Sequence, residues 1–115
     1  MITPVLKELF CPGLEKPALP PNPDDCVVSL QASIGPKGER GEDLFFFTVA
    51  TPSGLLREDL PRWGRGILLV EAFSWVVVER AVERLLSQSR RESWAEVAAV
   101  LNHELNWEFE NFKPS

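Results

Sequence analysis

The stretch Ile34-Gly35-Pro36-Lys37-Gly38-Glu39-Arg40-Gly41-Glu42-Asp43-Leu44-Phe45-Phe46-Phe47-Thr48-Val49-Ala50-Thr51-Pro52 decides the fold of this 115-residue chain. A glycine-rich charged loop passes directly into an aromatic, apolar run. The loop is too polar to be buried, and the run is too apolar to be fully exposed. We therefore predict a strand over residues 44–50 that follows a hairpin corner at a sheet edge.

Period-two alternation predicts another strand immediately before the loop. Its apolar face contains Cys26, Val28, Leu30, Ala32 and Ile34. The residues between them form its other face, so this strand is half-buried. We expect further strands at residues 4–10 and 65–73. Before the last of these, Thr51 or Ser53 is expected to cap a short helical turn that reaches Leu60 and is stopped by Pro61.

After residue 73 the apolar residues follow a helical period. Ser74 is a candidate N-cap. The apolar stripe of the helix that follows consists of Trp75, Val78, Val82, Leu85 and Leu86. Its solvent side consists of Glu79, Arg80, Glu83 and Arg84. Ser93 and Glu96 form a capping-box pattern at the start of a second helix. Because strands precede helices, we predict an α+β fold: a mainly antiparallel sheet of three or four strands with two C-terminal helices packed on one face.

Length and composition predict one domain over residues 1–115, with a proline-rich connector at 11–25 inside it. The formal net charge of −5 disfavours nucleic-acid binding, which uses a basic face. The apolar runs are too short to cross a bilayer. The first residues lack the apolar segment of a signal peptide. We therefore expect a cytoplasmic protein with no membrane partner.

No residue pattern indicates a catalytic, cofactor or metal site. His103 is the single histidine, and Cys11 and Cys26 lack the spacing of metal ligands. We expect two reduced thiols, and their pairing is left open. The glycine loop has no phosphate-binding motif, and its three glycine triplets are too few for a collagen helix. Glutamates are numerous, but no spacing specifies an acid–base pair, so an enzyme is the least favoured class.

The run Trp107-Glu108-Phe109-Glu110 alternates aromatic and acidic residues. We expect a final extended segment that lays the two aromatic rings on the sheet and turns the two glutamates toward water. The alternative is a stacking platform for single-stranded nucleic acid, which the surrounding negative charge disfavours. Trp75 and Trp94 lie on the helix stripes and are expected in the core, whereas Trp63 lies in a turn.

Six segments occur in an order that resembles a known family. They are 34–38, 41–45, Thr51-Pro52, the strand at 67–73, Ser93-Trp94 at a helix start, and Trp107-Glu108-Phe109-Glu110. Together they resemble the Immunity protein 8 family of bacterial polymorphic-toxin and contact-dependent growth inhibition systems. Two positions depart from the family pattern: Ala50, where cysteine is common, and Asn111-Phe112, where an acidic residue and tyrosine are typical.

The resemblance implies a cytoplasmic antitoxin without catalytic machinery, which binds the C-terminal domain of a cognate toxin, often a nuclease. An acidic surface can imitate the phosphates that a basic nuclease cleft binds. The candidate toxin-contact residues are Lys37, Glu39, Arg40, Glu42, Asp43, Glu104, Glu108 and Glu110. A second hypothesis is a small acidic adaptor domain, unrelated to toxins, that uses the loop at 35–43 as its contact surface.

Overall fold

The computed structural model describes residues 1–109. Its sheet begins with three antiparallel strands in sequence order: β1 (Pro4–Phe10), β2 (Val27–Pro36) and β3 (Asp43–Ala50). The predicted hairpin is confirmed, because β2 and β3 pair in one continuous register from Val27 opposite Ala50 to Ile34 opposite Asp43. β1 pairs with the other side of β2, with a register shift between Leu6 and Glu8.

Two short strands continue the sheet on the far side of β3. β4 (Ile67–Leu69) runs parallel to β3, and β5 (Asn106–Trp107) runs antiparallel to it. The strand predicted at 65–73 is therefore much shorter than expected. Leu69 already lies opposite Ala50, the last residue of β3, so β3 offers few further partners. The α+β class and the mainly antiparallel sheet are confirmed.

Alternation along β2 and β3 gives the sheet one covered face. Leu30, Ala32, Phe45, Phe47 and Val49 are all buried there. The helices supply Val78, Val82, Leu86, Val97 and Leu101 to the same core. On the opposite face Phe10, Gln31 and Phe46 stand side by side across three strands, and Phe10 and Phe46 are exposed. The two C-terminal helices thus pack on one face, as predicted.

A short helix, α1 (Pro52–Leu56), follows β3 directly. Thr51 is its N-cap, since the Thr51 hydroxyl accepts the Gly54 N–H at 3.1 Å. The predicted extension to Leu60 is wrong. The N–H groups of Arg57 and Glu58 bond to carbonyls three residues back, and this tight closing turn ends the helix before Pro61 can.

Both predicted C-terminal helices form, with the predicted caps. α2 (Trp75–Ser87) begins after Ser74, whose hydroxyl accepts the Val77 N–H. α3 (Trp94–Leu101) begins after Ser93. The Ser93 hydroxyl accepts the Glu96 N–H at 3.2 Å and donates to the Glu96 carboxylate at 2.9 Å. This reciprocal contact fixes the start of α3.

The proline-rich connector between β1 and β2 is held against the start of α2. The Trp75 indole N–H donates to the Ala18 carbonyl at 2.8 Å, and Lys16 pairs with Glu79. Trp75 is buried, as predicted. Cys11, the first residue of the connector, and Cys26, which follows its last residue, are buried free thiols. Burial raises the pKa of both thiols, which disfavours the reactive thiolate.

Candidate functional site

The hairpin loop (residues 37–42) joins β2 to β3 and is exposed throughout. The Lys7 ammonium of β1 donates to the carbonyls of Glu39 at 2.7 Å and Gly41 at 3.0 Å. Gly41 has φ +99°, a left-handed conformation that suits glycine. A Cβ at Gly35 would collide with the Gly41 carbonyl oxygen. The loop is therefore held in one shape by its own backbone and by β1.

Four predicted contact residues project from this loop: Lys37, Glu39, Arg40 and Glu42. All four are exposed. None of their side chains makes a hydrogen bond or an ion pair with another residue of the range 1–109. Two are cations and two are anions, so the loop presents mixed charge rather than an acidic patch. Such a pattern favours specificity for a complementary surface.

Asp43 stands at the base of the loop and differs from the other predicted contact residues. It is half-buried. Its Oδ2 accepts the indole N–H of Trp94 at 2.8 Å and that of Trp107 at 3.0 Å. The carboxylate therefore links β3 to α3 and to β5. A charged acceptor of this kind strengthens both hydrogen bonds, so Asp43 has a structural task that its sequence context did not reveal.

The two remaining predicted contact residues that the structure describes, Glu108 and Glu104, lie in different places. Glu108 lies at the loop base, where its carboxylate accepts the Leu44 N–H and its own N–H donates to the Leu44 carbonyl at 2.9 Å. Glu104 is exposed and lines the same groove beside α2 and β4 as Arg84 and Gln88 do. Glu110 lies outside the described residues. The assignment of these residues to toxin contact stays a prediction.

The segment from α1 to β4 holds exposed apolar residues that the sequence did not assign to a binding surface. Trp63 is 94% exposed, and Leu56 and Leu60 are also exposed. At the start of this segment Arg57 pairs with Asp25. Hydrogen bonds from Arg57 and Ser53 hold the pKa of Asp25 below its ordinary value. Bonding to the Asp25 carboxylate raises the pKa of Arg57 in turn.

Side chains that could bind a metal ion are not grouped in the part of the chain that the structure describes. Across residues 1–109, no three His, Cys, Asp or Glu side chains lie close enough together to hold a metal ion. His103 is exposed in the turn after α3. Within the same range, no helix has the length and the apolar character that crossing a membrane requires.

The family described as Immunity protein 8 matches residues 6–112. The chain belongs to the Immunity protein 8 family. The match spans the sheet, the hairpin loop and the three helices, so the resemblance inferred from six short segments is confirmed. No curated protein and no solved structure matches the chain.

Proposed function

We propose that this chain is a cytoplasmic immunity protein that binds and neutralises the C-terminal domain of a cognate bacterial toxin. The single observation that carries the proposal is family membership over residues 6–112. A binding role also agrees with the four uncommitted charged side chains of the hairpin loop. Binding is stoichiometric, since one folded surface covers one toxin domain.

The toxin is proposed to be a nuclease delivered by a contact-dependent or related polymorphic-toxin system. The net charge of −5 supports this class, because nuclease clefts are basic and opposite fields accelerate encounter. Glu39 and Glu42 of the hairpin loop are the acids best placed to meet such a cleft, since their carboxylates have no competing partner in residues 1–109.

Co-expression tests the function directly. We expect the toxin domain encoded beside this chain to stop bacterial growth, and the intact chain to restore growth and to co-purify with that domain in a fixed ratio. Failure of both readouts, with each protein soluble, would overturn the proposed function.

A charge reversal tests the hairpin loop separately. Glu39→Lys combined with Glu42→Lys is expected to weaken toxin binding by about tenfold or more, and to reduce its dependence on salt. The matched control is Glu15→Lys combined with Glu83→Lys, two exposed acids in the proline-rich connector and on α2. Equal affinity for both double variants would remove the loop from the interface without affecting the proposed function itself.

A further inference from the structure

A groove with a volume of ≈ 580 Å³ lies between α2 and the strand β4. We call it the β4 groove. Its apolar lining consists of Phe47, Ile67, Leu68, Val77, Ala81, Val82, Leu85 and Leu105. Its polar lining consists of Arg80, Arg84, Gln88 and Glu104. The groove thus combines an apolar floor with a small number of charged groups, the usual composition of a ligand-binding pocket.

The strand beside the groove has one unpaired side. Within residues 1–109, β4 pairs with β3 and with no other strand. The Gly66 carbonyl accepts the Thr48 N–H, and the Val70 N–H donates to the Ala50 carbonyl, so alternate residues of this segment bond to β3. The backbone groups of Ile67 and Leu69 therefore point to the free edge. Such an edge can pair with an added strand.

The apolar surface of the groove continues to its rim. Val77, which lines the groove on α2, is 47% exposed. Covering its side chain removes apolar surface from water, which is favourable in proportion to the area removed. A partner seated in the groove would cover Val77.

The charges of the groove are positive on the α2 side. Arg80 and Arg84 lie one helical turn apart and repel each other. Neither guanidinium takes part in a hydrogen bond or ion pair with a described residue, and neither lies within ion-pair distance of Glu104. On a chain whose net charge is −5, this pair forms a local positive patch that can attract a carboxylate.

We propose that the β4 groove binds an extended segment of the toxin that carries an apolar side chain and, two residues away, an aspartate or glutamate. This proposal rests on the proposed function. The segment pairs with the edge at Ile67–Leu69, its apolar side chain contacts the floor, and its carboxylate meets Arg80 and Arg84. Because β4 has only three residues, most of the contact comes from the groove. Glu104 repels a carboxylate, so it disfavours the strand register that would place the toxin's acidic side chain beside Glu104.

Filling the groove is the first test. The probe is the toxin domain encoded beside this chain, titrated against the intact protein by calorimetry. Ala81→Trp places an indole in the groove and is expected to weaken binding by at least about tenfold. The matched control is Ala99→Trp on the exposed side of α3, which should bind as the wild type does. Equal affinity for both variants, with circular dichroism unchanged, would overturn the proposal.

Reversing one charge is the second test. Arg80→Glu should fold normally, because the new carboxylate can pair with Arg84 one turn away. It is expected to weaken toxin binding by about tenfold and to flatten the salt dependence. Arg90→Glu is the control, since Arg90 is exposed and lies outside the β4 groove. If Arg90→Glu weakened toxin binding as much as Arg80→Glu does, the groove would have no specific role.

Hydrogen exchange separates this proposal from the proposed function. In the wild-type complex, the amides of Ile67 and Leu69 are expected to slow by at least about tenfold when the added strand covers them. Unchanged exchange there, in a complex that forms and restores growth, would overturn the groove and leave the immunity function intact. If the wild-type chain neither binds nor restores growth, the proposed function fails, and the groove proposal fails with it.

Discussion

The hairpin loop and the β4 groove are surfaces of opposite construction on the same sheet. The loop projects into solvent and presents two cations and two anions on a backbone fixed by Lys7. The groove is recessed, and its floor includes core residues such as Phe47 and Leu105. A projecting loop can change its side chains at little cost to the fold, whereas the groove floor cannot. In an immunity protein, the projecting loop therefore suits recognition of one particular toxin. The recessed groove suits a contact that related toxins have in common.

The largest change in the free energy of unfolding is expected at the floor of the β4 groove. Phe47→Ala is expected to lower the free energy of unfolding by about 3–5 kcal/mol, because it removes a buried ring from the core. The matched control is Phe46→Ala, one residue earlier on the exposed face of the sheet, where we expect a loss below about 1 kcal/mol. Urea unfolding followed by tryptophan fluorescence measures both. Similar losses would mean that the two faces of β3 are not distinguished by burial.

A smaller effect tests where the hairpin loop ends and the core begins. Asp43→Ala is expected to cost about 2–3 kcal/mol, because the indole N–H groups of Trp94 and Trp107 both lose their acceptor. Glu42→Ala, at the adjacent exposed position, should cost less than about 0.5 kcal/mol. Asp43→Asn keeps an acceptor oxygen, so its loss of unfolding free energy should lie between the losses of Asp43→Ala and Glu42→Ala. If Asp43→Ala lowered the free energy of unfolding no more than Glu42→Ala does, Asp43 would not be a structural link.

The sequence predicts the structural elements that depend on residues close together along the chain. The strand β1, the β2–β3 hairpin, and the caps at Ser74 and Ser93 each follow from a local period or a local hydrogen-bonding pattern, and each is present. The length of β4 depends instead on where β3 ends, which the residues of β4 do not encode. For this reason residues 65–73 look like one long strand and form a short one.

The candidate surfaces divide in the same way. The hairpin loop is visible in sequence because its glycines and charges are consecutive. The β4 groove brings together residues of β3, β4, α2 and the turn after α3, so only the packed fold assembles it. Arg80 and Arg84 were predicted to lie on the solvent side of α2, and they are exposed. Nothing local to them indicates that they border a groove. The sequence groups Asp43 with the loop charges, because its two indole partners lie 51 and 64 residues further along the chain.

The smallest change in unfolding free energy is expected for the ion pair that holds α1. The base of the hairpin loop is held by Asp43, which accepts hydrogen bonds from two neutral indoles, whereas α1, which leads toward β4 and its groove, is held by an ion pair between Asp25 and the exposed Arg57. Because the folded-state pKa of Asp25 is lowered, its stabilisation is complete above the unfolded pKa of about 4 and is lost as pH falls through the folded value. The difference in unfolding free energy between the wild type and Asp25→Asn should therefore be present at pH 7 and shrink below about pH 4. High salt should reduce it at pH 7 by screening. Asp24→Asn is the control at the adjacent exposed position. A difference between the wild type and Asp25→Asn that did not change with pH would show that the carboxylate charge does not anchor α1.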